Sequence, residues 1–350
     1  MHHKLWIGGH AKFPEEVDAL LAVLKSCVIP GKASLVLSPE RRDSFDWICD
    51  SPWAEHAGEL DGGGWIALQT SGTTGEPKWV NKRFETILAQ KRGTGSARDT
   101  WLLCYNPARW AGISVLAHVI RNSAALVVPR SLEPRDILAA MGSATHVSLT
   151  PSMFRKLLLN SGSELSAMPI RQLTFGGEYA SQKILDDAQT LWPAARITHV
   201  YASTELGDIC AVSDGMEGLP AEQLRHCDLT REGELVIGGH ATGDMWEYRG
   251  VRLVFLGRRE EIINVGGAKV IPSLVEAACL SVPGVLECRA YAVKNALLGE
   301  VVGLDYVGAV EPGELRNFLV SAVAKHAVPA RIVKVDALRL TSAGKTPRGS

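Results

Sequence analysis

Between residues 122 and 201, short apolar runs alternate with stretches of helical character, and this alternation constrains the fold more than any other feature of the chain. The apolar runs lie at 124–129, 146–149, 173–175 and 197–201, and the helical stretches lie at 134–142, from Thr150-Pro151 onward, and at 181–191. Strands that alternate with helices usually pair in parallel, because each helix crosses back over the sheet. We therefore predict an α/β fold whose large N-terminal domain contains helix-covered, mostly parallel sheets.

The residues after about 230 have a different pattern, which predicts a small C-terminal α+β domain. Short strands at 234–237 and 251–256 are expected to pair, a turn follows at 257–267, and a helix lies near 272–281. Strands near 286–293, 300–307 and 331–335 and a helix at 312–325 complete this domain. The boundary is placed near 258–262, which gives domains at 1–259 and 260–350. An amphipathic helix is also predicted at 14–28.

Charge, hydropathy and cysteine content exclude several classes of protein. Lys and Arg number 37 against 38 Asp and Glu, so the strongly basic surface of a general nucleic-acid binder is absent. No run of about 18 apolar residues occurs, so no membrane-spanning helix is expected. The seven cysteines include no Cys-x-x-Cys pair, which is typical of reduced thiols in a cytoplasmic protein rather than of disulfides or a zinc site.

The run Thr-Ser-Gly-Thr-Thr-Gly-Glu-Pro-Lys at 70–78 is the strongest local signal for binding chemistry. Glycines let backbone N–H groups approach phosphate oxygens, hydroxyls donate hydrogen bonds, and the lysine adds positive charge. The candidate phosphate-binding residues are Thr70, Ser71, Gly72, Thr73, Thr74, Gly75 and Lys78. The alternative is that residues 70–78 form a flexible turn that binds no phosphate. The spacing differs from Walker A, and Gly344-Lys345-Thr346 also fails that motif because Arg339 stands where its first glycine belongs.

This loop resembles the signature loop of the adenylate-forming superfamily, which includes acyl-CoA synthetases, adenylation domains of peptide synthetases and luciferases. Other segments resemble further motifs of that family, and they occur in the family's order. They are Gly176-Gly177-Glu178, Tyr201-Ala202-Ser203-Thr204-Glu205, Thr242-Gly243-Asp244, Gly257-Arg258 and Ser342-Ala343-Gly344-Lys345. The resemblance therefore extends over residues 70–345.

The resemblance implies a site for ATP and Mg²⁺. Residues 176–178 would contact adenine, Thr204 the phosphate, and Asp244 the two ribose hydroxyls, while Arg258 would contact the nucleotide. Glu205 would bind the magnesium ion. The alternatives are that Glu205 is an ordinary solvated carboxylate at the start of a helix and that Asp244 is an ordinary aspartate in a turn. Ala202 replaces the family's usual glycine in the motif at 201–205.

The implied chemistry needs positive charge near one phosphorus atom. When a carboxylate attacks the α-phosphate of ATP, negative charge gathers there, so a metal ion and a cation have to be bound close by. Glu205 would supply a hard oxygen ligand to the metal. Lys345 would supply the cation and would be the catalytic lysine, and Thr204 and Glu205 would also be catalytic residues. The alternative is that Lys345 is an exposed lysine in a mobile tail.

The resemblance also places the pocket for the acid. Arg109, Trp110 and Gly112 would line it together with Gly177 and Tyr201, and Arg109 aligns with the family's usual histidine. Amino-acid-activating relatives have an aspartate just before this segment, but residues 103–107 contain no acid. An aryl or acyl carboxylic acid is therefore expected. Arg109 could pair with a second carboxylate of the substrate, or it could be an ordinary surface or ion-paired arginine.

A second reaction step is implied by the small C-terminal domain. In the family this domain rotates about a hinge, here Glu260, which withdraws Lys345 and presents Gly266 and Gly267 beside a channel for a thiol. The thiol would belong to CoA or to the phosphopantetheine arm of an acyl carrier protein. The protein is thus expected to be an AMP-forming acid:thiol ligase.

Two alternatives remain at this stage. One is an adenylation-only or amide-forming ligase of the same fold, and the other is a degenerate nucleotide-binding protein. The joint presence of Glu205, Asp244, Arg258 and Lys345 argues against the degenerate protein. Only 69 residues precede the loop, fewer than is usual in the family. We therefore expect a reduced N-terminal subdomain, whose exposed side a partner chain or a homodimer could cover.

Overall fold

The computed structural model describes residues 34–37, 65–70, 78–91, 95–107 and 109–338, and the chain separates into two compact units, Met1–Glu217 and Gly218–Ser350. The described α-helices are α1 (Phe84–Gln90), α2 (Trp110–Asn122), α3 (Pro134–Met141), α4 (Pro151–Leu165), α5 (Gln182–Leu191), α6 (Pro272–Leu280) and α7 (Pro312–Ala322). The helix predicted at 14–28 lies outside the described residues.

The strands of the first unit are β1 (Ser34–Leu37), β2 (Trp65–Thr70), β3 (Lys78–Arg83), β4 (Thr100–Leu103), β5 (Ala125–Val127), β6 (His146–Leu149), β7 (Gln172–Phe175), β8 (Arg196–Ser203) and β9 (Gly207–Val212). The strands of the second unit are β10 (Leu219–Pro220), β11 (Cys227–Leu229), β12 (Glu234–Ile237), β13 (His240–Arg249), β14 (Arg252–Arg258), β15 (Ile263–Val265), β16 (Ala268–Val270), β17 (Val285–Asn295), β18 (Gly299–Gly308) and β19 (Arg331–Lys334).

A six-stranded sheet forms the centre of the first unit, in the order β5-β4-β6-β7-β8-β9. The neighbours from β5 to β8 pair in parallel, and β9 is antiparallel to β8. Helices cover both faces: Trp101 and Leu103 pack into a core with α2, whereas Leu102 packs into a core with α3, α4 and α5. Successive side chains of a strand point to opposite faces, which explains this division. The predicted helix-covered parallel sheet is confirmed.

A second, three-stranded sheet in the order β1-β2-β3 belongs to the same unit. Its buried residues Ile66 and Leu68 share a core with Phe84 and Ile87 of α1 and with α2. The strand β2 pairs with β1 in parallel and with β3 in antiparallel register, so Thr70 lies opposite Lys78. The β2–β3 hairpin and α1 are therefore fixed against the helix α2.

The second unit contains two sheets. One is antiparallel, in the order β10-β14-β13-β12-β11, and the other has the order β16-β15-β18-β17, with β19 parallel to β18. The second sheet packs with α6 and α7 around a core that includes Tyr306, Leu315 and Leu319. The hydroxyl of Ser273 in α6 donates a hydrogen bond to the carbonyl of Leu256 in β14 and connects the two parts. A small α+β C-terminal part is thus confirmed.

The structure corrects two details of the sequence prediction. The strands at 234–237 and 251–256 do not pair with each other, because β13 lies between β12 and β14. The predicted turn at 257–267 contains a strand, β15, which pairs with β16 and β18. In both cases a residue typical of turns, Gly243 in β13 and Asn264 in β15, lies within a strand that neighbouring strands stabilise.

The unit boundary after Glu217 precedes the domain boundary predicted near 258–262. The predicted boundary separates the residues that would rotate about Glu260 from the rest of the chain. The division into compact units does not test such a rotation, so this boundary stays a prediction. Within the described part of the chain, no helix is both long and apolar enough to span a bilayer. The five cysteines in that part are free thiols.

Candidate active site

The carboxyl ends of β4, β6, β7 and β8 meet at one edge of the parallel sheet. Tyr105, Thr150 and Gly176 follow the ends of β4, β6 and β7, and Tyr201 lies in the last part of β8. In open α/β sheets, ligands bind in the crevice outside the carboxyl ends of the strands. The fold therefore brings the predicted adenine segment and the motif at 201–205 to the edge where a ligand is expected.

The predicted adenine segment, Gly176-Gly177-Glu178, has contacts along its length. The hydroxyl of Tyr105 donates to the carbonyl oxygen of Gly176 at 3.3 Å, and burial raises the pKa of Tyr105, so this hydroxyl keeps its proton. Gly177 has φ of 80°, a conformation that favours glycine. Glu178 Oε2 accepts the N–H of Ser152 at 3.0 Å, in the first turn of α4. These contacts fix the backbone of the segment against α4.

The motif at 201–205 lies at the end of the β8–β9 hairpin. Tyr201, Ala202 and Ser203 end β8, and Thr204 and Glu205 lie in the turn. The backbone N–H of Leu206 donates to Ser203 Oγ at 3.0 Å, which closes the turn. Glu205 is exposed and does not begin a helix, so the alternative of a helix-start carboxylate is wrong. Its carboxylate is accessible to a ligand at the tip of the hairpin.

Lys82 of β3 is a neighbour of this hairpin that the sequence analysis missed. Its ammonium donates a hydrogen bond to the backbone carbonyl of Glu205 and lies 5.9 Å from the ring centroid of Trp110, within cation–π distance. Burial lowers the pKa of Lys82, and the negative charge of Glu205 opposes this effect. A lysine in a strand has no sequence signal that would connect it to a turn 123 residues later.

The predicted acid-pocket residues Arg109, Trp110 and Gly112 lie at the start of α2. Arg109 is the N-cap residue of this helix and is half-buried. Trp110 is buried, and its indole N–H donates to Asp208 Oδ1 at 3.0 Å. A Cβ atom at position 112 would lie 2.3 Å from the carbonyl oxygen of Asn106, so glycine is required for α2 to approach this segment. Gly112 therefore has a packing role whatever it does in the pocket.

The predicted ribose residue, Asp244, lies on a β-bulge in the second unit. Glu234 pairs with Met245 and Val236 with Ala241, so three residues of β13, 242–244, lie opposite Leu235 alone and two of them are extra. Gly243 has φ of 77°, and Asp244 N donates to Thr242 Oγ1 at 3.2 Å. Bulges re-aim side chains next to functional sites. Asp244 is therefore not an ordinary turn aspartate but a buried strand residue placed by the bulge.

Charged neighbours surround the bulge. The predicted nucleotide-binding residue Arg258 lies opposite Asp244 in register, and its Nε is 3.4 Å from Asp244 Oδ1. Glu234, which the sequence analysis missed, is buried and accepts the N–H of Gly243 at 2.9 Å with one oxygen. Its other oxygen is 2.7 Å from the guanidinium of Arg259. The predicted hinge residue Glu260 lies in the 3₁₀ turn that follows β14.

The predicted thiol-channel residues Gly266 and Gly267 form the turn between β15 and β16, beside the β17–β18 hairpin. Gly266 N donates to the carbonyl of Leu298 at 2.9 Å, and Gly267 N donates to Asn264 Oδ1 at 3.0 Å. Gly267 lines an open groove of about 700 Å³ together with Asn264, Lys294, Asn295, Ala296, Leu298, Gly299 and Glu300. A Cβ atom added at Gly267 meets nothing within 4 Å.

Several predicted residues are outside the described part of the chain. Ser71, Gly72, Thr73, Thr74, Gly75 and Lys345 are among them. Thr70 ends β2 and Lys78 begins β3, and these two residues are register partners. The ends of the predicted phosphate loop therefore lie side by side. The roles of all these residues stay predictions.

Comparison with known families identifies the family of the chain. The sequence profile of the AMP-binding enzyme family matches residues 66–241, and that of the AMP-binding enzyme C-terminal domain matches residues 274–345. The chain belongs to the AMP-binding enzyme family, within the adenylate-forming superfamily. The expected family and the expected class, AMP-forming acid:thiol ligases, are confirmed. Enzymes of this class convert a carboxylic acid and ATP to an acyl-adenylate and transfer the acyl group to a thiol.

Individual relatives are similar over most of the chain. A 2-succinylbenzoate–CoA ligase of Bacillus velezensis is 24% identical, with 85% of this chain and 72% of the relative aligned. A probable 2-succinylbenzoate–CoA ligase of Mycobacterium tuberculosis is 28% identical over 81% of this chain and 83% of the relative. The structure of o-succinylbenzoate coenzyme A synthetase from Bacillus subtilis with ATP and magnesium superposes with a TM-score of 0.71 at 18% identity, covering 99% of this chain and 88% of that one.

Proposed function

We propose that the protein activates an aryl carboxylic acid with ATP to give an aryl-adenylate and pyrophosphate, and then transfers the acyl group to CoA. The observation that carries this proposal is the edge of the parallel sheet where the adenine segment 176–178 and the hairpin with Glu205 follow neighbouring strands. The buried Trp110 lies against that hairpin. This placement supports a proposal in which the nucleotide-contacting and acid-contacting segments share one crevice.

The class of acid follows from the charges near Trp110. The residues before this segment, 103–107, include no carboxylate that could bind an ammonium group. Asp208 does lie beside Trp110, but Lys91 neutralises its charge. An α-amino acid is therefore a poor substrate in this proposal. Arg109 at the N-cap of α2 gives the pocket a cation for a second carboxylate, which matches the 2-succinylbenzoate named for the relatives.

Magnesium fits the residues at the hairpin tip. A magnesium ion bound to ATP usually keeps several waters and takes one or two protein carboxylates together with phosphate oxygens. Glu205 is exposed at the tip and offers such a carboxylate. When bound, the ion would neutralise charge on the phosphates. Thr204 would donate to a phosphate oxygen, and Asp244 and Arg258 would contact the nucleotide from the second unit.

In the adenylation step, one oxygen of the substrate carboxylate bonds to the α-phosphorus of ATP, and the bond from that phosphorus to the pyrophosphate oxygen breaks. Negative charge increases around phosphorus in the transition state, so a cation placed there lowers the barrier more than it strengthens substrate binding. We assign this role to Lys345. In the second step, the thiol loses its proton to water, its sulfur bonds to the acyl carbon, and the bond from that carbon to the phosphate oxygen breaks, which releases AMP.

The acceptor is assigned to CoA, with the turn at Gly266-Gly267 as the contact for its pantetheine arm. Both glycines have positive φ, and the adjacent groove is open, so a slender chain can approach the backbone. A carrier protein presents the same phosphopantetheine thiol. The choice of CoA rests on the names of the relatives, which are CoA ligases.

The test is pyrophosphate release with a panel of acids: 2-succinylbenzoate, benzoate, a long-chain fatty acid and phenylalanine. We expect release with the aryl acids, and we expect a thioester only after CoA is added. Mass spectrometry distinguishes an acyl-adenylate, an acyl-CoA and, with an added amine, an amide. Release with phenylalanine alone would contradict the acid class, and an amide without any thioester would replace the proposed acceptor.

A further inference from the structure

A charged cluster, in which Lys91 is buried and Asp208 is half-buried, connects the β8–β9 hairpin to two helices of the first unit. Lys91, at the C-terminal end of α1, is only 2% exposed. Its ammonium forms an ion pair with Asp208 Oδ2 in β9 and donates to Ser114 Oγ of α2 at 2.7 Å. The other oxygen of Asp208 accepts the indole N–H of Trp110 at 3.0 Å. One carboxylate therefore contacts both α1 and α2.

Stability alone does not account for such a pair. Removing the Lys91 ammonium from water is expensive, although the Asp208 side chain stays 26% exposed. Replacing a buried ion pair by well-packed apolar residues is often neutral or stabilising. On α2, Ser114 has Trp110 one turn before it and Ala117 and His118 one turn after it. Trp110 and Ala117 are buried in the apolar core, and the imidazole of His118 is influenced by the charges of Lys91 and Asp208. The charged pair makes directional contacts, which define one geometry.

The contacts of the pair reach both sides of the candidate site. Asp208 lies opposite Ala202 in register, and Gly207 is packed so closely that a Cβ atom there would be 3.3 Å from the Trp110 ring. The tip of the same hairpin is contacted by Lys82 through the carbonyl of Glu205. A shift of Asp208 would therefore change the distance between the first turn of α2 and the tip of the hairpin.

We propose that Lys91 and Asp208 are positioning residues for adenylation: their ion pair fixes the β8–β9 hairpin against α2, so that Glu205 and Trp110 keep one relative placement. This inference rests on the proposed function, because it takes Glu205 as the metal ligand and Trp110 as part of the acid pocket. Neither Lys91 nor Asp208 contacts a substrate in this proposal. Their effect is on geometry, and it should appear in turnover and in the dynamics of the hairpin.

The test compares Lys91→Met/Asp208→Asn with the wild-type protein. The double variant removes both charges, and the asparagine side chain introduced in place of Asp208 keeps an acceptor for the indole N–H of Trp110. Lys183→Met is the matched control, because it breaks an exposed ion pair, Lys183–Asp187, at 3.0 Å. Three quantities are measured: the denaturation midpoint, amide hydrogen exchange at residues 203–207, and kcat and KM for pyrophosphate release.

For the double variant we expect an unchanged denaturation midpoint, at least tenfold faster exchange at 203–207, and at least a tenfold lower kcat with KM for ATP within twofold of wild type. The control should match wild type in all three. Wild-type exchange at 203–207, or faster exchange with unchanged kcat, would overturn the positioning role. If the double variant does not fold, Ser114→Ala is tested instead, because it removes only the 2.7 Å hydrogen bond to Lys91. Exchange at 203–207 should then be faster and kcat lower than in the wild-type protein, by smaller factors than those expected for the double variant.

The exchange measurement also separates this proposal from the proposed function. If wild-type protein releases no pyrophosphate with any acid, the proposed function is wrong and the role in adenylation falls with it. The structural part, that the ion pair fixes the hairpin, is then decided by exchange alone. If wild-type protein is active but exchange at 203–207 does not respond to the substitutions, the proposed function stands and the positioning role is wrong.

Discussion

The β8–β9 hairpin in the first unit and the β13 bulge in the second each contain an acid that is predicted to bind ATP or its magnesium ion, but they are stabilised in different ways. The hairpin with Glu205 is contacted by Lys82 and Lys91 from β3 and α1, which lie more than 100 residues earlier in the chain. The bulge with Asp244 is contacted by Glu234, nine residues away in the neighbouring strand. The hairpin therefore depends on tertiary packing, whereas the bulge depends on its own sheet.

This difference explains how well each region could be predicted from the sequence. Motifs located Glu205 and Asp244, and periodicity predicted the parallel sheet, because strand and helix periods are local properties. The supporting contacts of the hairpin could not be found. From the sequence alone, Lys91 and Asp208 are expected to be ordinary solvated residues, because lysine and aspartate are mostly exposed. Only tertiary packing brings these two residues together. The strand β13 was missed because Thr242-Gly243-Asp244 is typical of a turn.

Lys345→Ala should give the largest effect on activity. Lys345 belongs to neither the hairpin nor the bulge. Because its cation acts mainly in the transition state, kcat for pyrophosphate release should fall on the order of 10²–10³-fold. ATP binding, measured by calorimetry, should change little. Lys325→Ala is the control, since Lys325 is an exposed lysine in the same unit. Release at the wild-type rate by Lys345→Ala would remove the catalytic assignment.

Asp244→Ala and Glu205→Gln test the two regions directly. Hydrogen bonds to a charged group contribute about 1.5–3 kcal/mol, so loss of the ribose contact should raise KM for ATP by about 10- to 100-fold. Glu205→Gln should instead raise the magnesium concentration required for half-maximal turnover. Asp228→Ala, an exposed aspartate of β11, is the control. Unchanged ATP affinity in Asp244→Ala, measured by calorimetry, would contradict the ribose role.

His118 makes the first unit sensitive to acid. It stacks on Trp101 with ring centroids 4.8 Å apart, and it lies one helical turn beyond Ser114 on α2. Burial, together with the charges of Lys91 and His146, lowers the pKa of His118 to about 3, and the charge of Asp208 opposes this effect. Burial also lowers the pKa of His146. The His118 ring is therefore neutral in the folded protein at moderately acidic pH.

The sign of the pH effect follows from these lowered pKa values. The unfolded chain binds protons at His118 below about pH 6.5, but the folded protein does not, so stability is lost as pH falls below that value. For His118 alone the slope is about 1.4 kcal/mol per pH unit, which gives about 2 kcal/mol between pH 6.5 and 5. Denaturant titrations should show a smaller slope in His118→Phe, which keeps a ring against Trp101. An equal slope in both proteins would show that His118 is not responsible.

The smallest effect is expected from Glu234→Gln, which tests whether the bulge is as local as it appears. The amide oxygen of the introduced glutamine can still accept the N–H of Gly243, which lies 2.9 Å from Oε1 of Glu234, so the bulge should keep its shape. The other oxygen becomes an NH₂ donor facing Arg259, and that contact is lost. Because the Arg259 side chain is 69% exposed, water can take over its hydrogen bonds at little cost.

KM for ATP should therefore rise only about two- to fivefold in Glu234→Gln, an effect of about 0.4–1 kcal/mol. Glu234→Ala removes the acceptor for Gly243 as well and should approach the effect of Asp244→Ala, because the bulge then loses the bond that fixes Asp244. If Glu234→Gln already matched Asp244→Ala in KM, the charge of Arg259 would be part of the site. The bulge would then depend on a charged network, as the hairpin does, and the contrast between the two regions would not stand.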